Sequence, residues 1–261
     1  MHSPYTSDVF WHMIGYGILR DASIAPEDKS EHCYQRLKQV LASSYIAARA
    51  YNGELLLREG DVQYSIDSTG HLRNGDFNGF LVKGCITCYA DIPFSSLGLH
   101  TTKYGQFGFG VSSAYLSFVG ARPVTYIPCH RGLISTSHRG SGLLDNMTNE
   151  IKKLYNVVED YENLHNPENS EGERIVSVEH ENSQLMHMLL GDVAAYIKPY
   201  DANLSTDHPE CYYTEREWRL VGSVQIVPQK VPVIVVAKGY RERLLQEVPA
   251  ALQFEIRELG S

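Results

Sequence analysis

The chain has 261 residues, 43% of them hydrophobic, and a formal net charge of −8. That length suits one large domain or two small ones with a sizeable core, and no apolar run of roughly 18 residues offers a membrane span. The acidic balance argues against broad, sequence-independent binding to a phosphate backbone, though it leaves room for one local basic groove.

The stretch from Met1 to Asp8 has neither a basic flank nor a long apolar segment, so it does not read as a secretory signal. The five cysteines are an odd number at irregular spacing. Reduced thiols in a cytoplasm fit them better than a disulfide framework.

Val9 to Ile14 reads as a first strand, closed by Gly15-Tyr16-Gly17. His12 lies inside it, either as a core or edge histidine with satisfied nitrogens or as a hydrogen-bond donor to a ligand. Ser30 is the expected N-cap of a helix over about 30–44, where Cys33, Leu37, Val40, Leu41 and Tyr45 recur at helical spacing. Residues 51–83 are rich in Gly and Asp and carry short strand candidates at 54–58 and 62–66, expected as surface loops or a hairpin. Another strand spans 84–90 and closes on Asp91-Ile92-Pro93. Cys85 and Cys88 make a lone C-x-x-C, which without two further ligands sets no zinc site, so no metal is expected.

A short helix is expected over 95–103, then the strand Tyr104 to Val111 with glycines at 105, 108 and 110. This spacing does not match the dinucleotide fingerprint. Either the small residues allow close backbone packing, or they let a planar ligand lie on the backbone with Tyr104 stacked against it. A helical segment at 114–119 and a strand at 123–128 follow, then Ser135-Thr136-Ser137 in a polar loop.

Residues 143–164 carry the strongest helical pattern, with Leu144, Met147, Ile151, Leu154, Val158 and Tyr161 at heptad spacing. Such a helix packs on its own domain or serves as a partner helix or dimer seam. A second helix spans about 176–197 and ends before Pro199. The stretch Tyr213 to Val221 reads as a strand. Alternation then puts Glu215, Glu217 and Arg219 on one face and Arg216, Trp218 and Leu220 on the other, the core face. Strands at 224–227 and 231–237, a helix at 239–246 and a closing strand at 252–257 complete the order. Strands and helices in blocks predict a single α+β domain over 1–261, with a helical insertion at about 140–198.

Several ordered blocks resemble one family: Cys88 to Pro93, His100, Lys103 to Gly110, Gly120 to Ile127, Ile197 to Tyr200 and Tyr213 to Arg219. They look like the abortive-infection AbiGi family of bacterial phage-resistance proteins, in patches from about 9 to 245. The resemblance implies phage defence or a toxin–antitoxin context rather than any one reaction. A weaker resemblance, to ADP-ribosyltransferases, rests on chain order: His12 on the first strand, Tyr104 or Tyr89 on a middle one, then Glu215-Arg216-Glu217. It implies a split β-core with helices and NAD as co-substrate.

In such an enzyme Glu217 would stabilise the oxocarbenium-like state formed as the nicotinamide bond breaks. Glu215 would orient or deprotonate the acceptor, and Tyr104 would stack on the nicotinamide. His12 would hold the adenosine-side ribose, and Arg219 or Arg20 would meet the pyrophosphate.

Three functions follow in order. The first is an NAD-dependent ADP-ribosyltransferase toxin or effector acting on a protein or nucleic-acid acceptor, RNA or DNA. The second is a non-catalytic antitoxin or regulatory binding protein, with helix 143–164 as the element that meets a cognate toxin or antitoxin. The third, a hydrolase using Glu215, Glu217 and Asp91 around a divalent metal, lacks a recognisable ligand set. The adjacent arginines equally allow a solvated ion-pair ladder of little energetic consequence.

Overall fold

The computed structural model describes residues 7–49, 55–56, 61–66, 72–73, 80–84, 86–129, 194–201, 203–205, 208, 211 and 213–260. The expected helix at 143–164, most of that at 176–197, the Ser135-Thr136-Ser137 loop and Cys85 lie outside these residues. The chain divides into two compact units. One comprises Met1–Arg58, Cys85–Val124 and Ser205–Ser261, and the other Glu59–Gly84 and Thr125–Leu204. The fold is α+β.

The first unit is built on a seven-stranded sheet. Its strands are β1 (Val9–Met13), β2 (Ile86–Ala90), β3 (Gly108–Ser112), β4 (Arg122–Pro123), β5 (Glu217–Val221), β6 (Val233–Ala237) and β7 (Glu255–Leu259). They lie in the order β4-β5-β2-β1-β3-β6-β7. Every pairing is antiparallel except β6 with β7. Val233 to Val236 are β-branched and the strand is buried through Ala237, as befits a strand covered on both faces.

The helices of this unit are α1 (Tyr16–Arg20), α2 (Lys29–Ser43), α3 (Leu97–Tyr104), α4 (Ser113–Phe118) and α5 (Arg241–Glu247). One face of the sheet presents Phe10, Phe109, Val111, Leu220, Ile234 and Val236 to Tyr34 and Leu37 of α2 and Leu244 of α5. The other presents Trp11, Met13, Val233 and Val235 to Leu97 of α3. Each large apolar side chain so buried contributes about 1.5–3 kcal/mol. At the rim, Arg243 of α5 clamps Glu31 of α2 through 2.6 and 2.9 Å bonds. Glu247 accepts from both Arg243, at 2.7 Å, and Lys38, at 2.6 Å.

Several boundaries differ from expectation for local reasons. Helix α2 begins at Lys29, because a 3-10 turn over Pro26–Asp28 runs straight into it, and Ser30 sits inside rather than capping. It ends at Ser44, whose φ of 60° is left-handed. The strand expected from Tyr104 starts at Gly108. Helix α3 runs on through Tyr104, and Gly105, with φ 84°, turns the chain. The strand expected at 123–128 is two strands. Arg122–Pro123 joins the large sheet, and Thr125–Cys129 belongs to the second unit.

In that second unit Asp61–Ile66 pairs antiparallel with Leu72–Arg73 and Phe80–Gly84. Thr125–Cys129 pairs parallel with Ile197–Asp201, which follows a 3-10 turn at Ala194–Tyr196. The helix expected to reach residue 197 has therefore already given way to a strand, with Pro199 opposite Ile127. Among the described residues no helix is long and apolar enough to cross a membrane.

Candidate functional site

The segment Tyr213–Val221 is not one strand. Tyr213–Glu215 forms a 3-10 turn, Arg216 takes φ 46°, and only Glu217–Val221 pairs in the sheet. A left-handed arginine is uncommon and costs backbone energy unless its surroundings hold it. Here the surroundings do. Its guanidinium meets the buried Asp91 carboxylate at 2.5 Å, and its carbonyl accepts from the Asp91 N–H at 3.3 Å. Asp91 also accepts from the Ser7 N–H at 3.2 Å, which ties the start of β1 to the same corner.

The acids on either side of Arg216 are buried as well, Glu215 to 4% and Glu217 to 5% exposure. Glu215 accepts from the Tyr104 hydroxyl at 2.9 and 3.1 Å, and the Lys103 ammonium lies 3.6 Å away. Lys103 also donates to the Cys211 carbonyl at 2.6 Å. Glu217 accepts from Arg219 Nε at 2.6 Å, and that arginine is itself buried. Each of the three buried acids therefore has its own cation. A buried carboxylate left alone carries a large desolvation cost, and each pairing offsets that cost for its acid.

Sheet register decides which of these residues meet His12 and Tyr89. Trp11 lies opposite Ala90, and Ala90 lies opposite Glu217. Directly opposed residues share a face and successive residues alternate. Glu217, Arg219, Ala90 and Trp11 thus occupy one face, and His12, Tyr89 and Trp218 the other. His12 packs 5.7 Å from Tyr89, ring to ring. Its Nδ1–H donates to the Cys88 carbonyl at 2.9 Å. Burial lowers its pKa, and the Cys88 hydrogen bond opposes that only in part. Tyr89 is fully buried and donates its hydroxyl to Thr87 at 3.0 Å. Tyr104 meets Glu215, while His12 and Tyr89 sit across the sheet from Glu217.

The rings around Tyr104 belong to the protein. Tyr16 stacks on it at 5.5 Å, His100 lies 4.5 Å away, and the exposed Arg20 caps Tyr16 at 3.9 Å. The glycines are filled from within too. A Cβ on Gly110 would lie 2.8 Å from the Trp11 ring, and one on Gly108 would lie 2.5 Å from the His12 carbonyl. Close backbone packing accounts for both. No group of three His, Cys, Asp or Glu side chains gathers among the described residues as a metal site requires.

Sequence pattern does not reveal Lys103 and Arg216 as partners, and it offers Asp91 only as a metal ligand. Lys103 beside Tyr104 at the end of a helix, and Asp91 at the end of a strand, were the available signals. Neither says that the other half of each pair lies more than a hundred residues away.

A family model described as "Putative abortive phage resistance protein AbiGi, antitoxin" matches residues 82–244. The chain belongs to this family. The AbiGi match spans Asp91, Lys103, Tyr104 and Glu215 to Arg219, so the whole ion-pair cluster apart from Ser7 lies within it, while His12 and β7 lie outside. Neither the curated proteins nor the solved structures give a match. The comparisons bring in no ADP-ribosyltransferase.

Proposed function

We propose that the chain is a non-catalytic antitoxin, a regulatory binding protein that restrains a cognate toxin in an abortive phage-resistance system. The observation that carries this reading is the closed state of the acids. Glu217, Glu215 and Asp91 each engage a cation of the same unit, as buried acids that serve a structural core do. The antitoxin description of the AbiGi family points the same way.

Charge supports a protein partner. Residues 59–84 and 125–204 hold 16 acidic and 8 basic side chains, while the rest of the chain holds 15 of each. The whole net charge of −8 thus belongs to one unit. Net acidity of this size disfavours nucleic acid and steers a basic partner towards the unit.

A second reading, an NAD-dependent ADP-ribosyltransferase with a macromolecular acceptor and a split β-core, draws support from one contact. Tyr104 hydrogen-bonds Glu215, and the transferase reading gives a role to each. One experiment separates the two. The chain is expressed alone, and together with its cognate toxin, while growth and NAD content are followed. The antitoxin reading expects no arrest and no NAD loss from the chain alone, and rescue of growth in the pair. NAD consumption that disappears in Glu217→Ala would overturn it in favour of the transferase.

A further inference from the structure

The two edges of the large sheet are unlike. At one, β4 has two residues, one of them Pro123, so it offers almost nothing to pair with. At the other, β7 runs for five residues, and among the described residues no strand lies beyond it. The Glu255 N–H turns inward to the Pro232 carbonyl at 3.0 Å. Backbone groups alternate sides along a strand, so the N–H and C=O of Ile256 point away from β6, towards the side where no described strand lies.

The side chains along this edge are charged, which usually blunts pairing with a foreign strand. Their order changes that outcome for one partner. Glu255 and Arg257 flank Ile256 and share a face, where they now pair with each other at 2.7 Å. Acid, apolar, base is its own complement when read antiparallel about the central residue. A two-fold axis through Ile256 sets Glu255 opposite the partner subunit's Arg257, Arg257 opposite the partner subunit's Glu255, and the isoleucines opposite each other. No like charges then face one another. Ile256 exchanges both backbone hydrogen bonds with its counterpart. The Glu258 side chain stays clear, because its carboxylate accepts from the Gly239 and Arg241 N–H groups.

We propose that β7 is a self-association edge, which joins two copies of this chain through antiparallel pairing centred on Ile256 and makes one sheet continuous across a two-fold axis. The inference is independent of the antitoxin reading, since a dimer forms or fails without a toxin present.

Sedimentation velocity and light scattering on the full-length chain across a concentration series test it, with circular dichroism to confirm that each variant is folded. The wild type forms a concentration-dependent dimer. Glu255→Arg or Arg257→Glu alone places like charges opposite each other twice, and raises the dimer dissociation constant by about tenfold or more. The double exchange, E255R with R257E, restores the complement and the dimer. A wild type that stays monomeric, a dimer indifferent to the single reversals, or a double exchange that fails to rescue would each overturn the assignment.

Discussion

Replacing Glu217 with alanine removes the carboxylate to which Arg219 donates at 2.6 Å, while the guanidinium stays 6% exposed in the sheet. Removing one partner of a buried pair typically costs about 3–5 kcal/mol, because the remaining charge loses its compensation inside the protein. For a chain of this size each kcal/mol moves the melting temperature by roughly 2–4 °C, so the fall should be on the order of 6–20 °C. Glu217→Gln keeps an acceptor and should lose less. The double variant E217M with R219M removes both charges and fills the space with apolar groups, so it should melt within about 1–2 kcal/mol of wild type. Thermal unfolding followed by circular dichroism gives all four curves. The structural account fails if Glu217→Ala melts like the wild type, or if the double variant is as damaged as the single one. A Glu217 held ready for chemistry would instead give a stable but inactive protein.

Further outcomes follow from neighbouring contacts. Tyr104→Phe removes the hydroxyl that spans both Glu215 oxygens. It should cost about 1.5–3 kcal/mol in urea unfolding, since the lost bond is to a charged group. Gly110→Ala sets a Cβ 2.5 Å from Val9 Cγ1, and Gly108→Ala one 2.5 Å from the His12 carbonyl. The first should cost about 1–3 kcal/mol by overpacking. The second should cost more, because a β1 backbone atom cannot swing aside as a side chain can. Glu247 is held down at about 2, first by the Lys38 hydrogen bond and then by that of Arg243. A carboxylate lowered on folding stabilises above its unfolded pKa of 4.5, and that contribution is lost as pH falls through the window towards about 2. The pair is solvent-exposed, so the effect is small. It should show as a shallow acid slope in melting temperature that flattens in Glu247→Gln.

Local pattern reaches far into this protein. Alternation along Glu217-Trp218-Arg219-Leu220 is visible in the residues alone, and Trp218 and Leu220 do face the main core. The periodicity of α2, the apolar run of β6 and the mixed order of strands and helices were legible for the same reason, because each depends on neighbours a few positions apart.

The tertiary structure decided what the polar side chains meet. Whether the other face of β5 was solvent, cleft or interior could not be read from alternation. In the packed structure Glu217 and Arg219 are buried together on that side. The left-handed turn at Arg216 breaks the face that would have carried Glu215 beside Glu217. It is held by Asp91, 125 positions away in sequence, and Glu215 is held by Tyr104, 111 positions away. His12 and Glu217 are separated by the register of Trp11 with Ala90 and of Ala90 with Glu217. A shift of one residue in either pairing would have put them on the same face. Strand-forming tendency belongs to each segment by itself, but register belongs to the packed sheet. The sequence determined which residues could carry charge at this corner, and only the packing made them partners of one another.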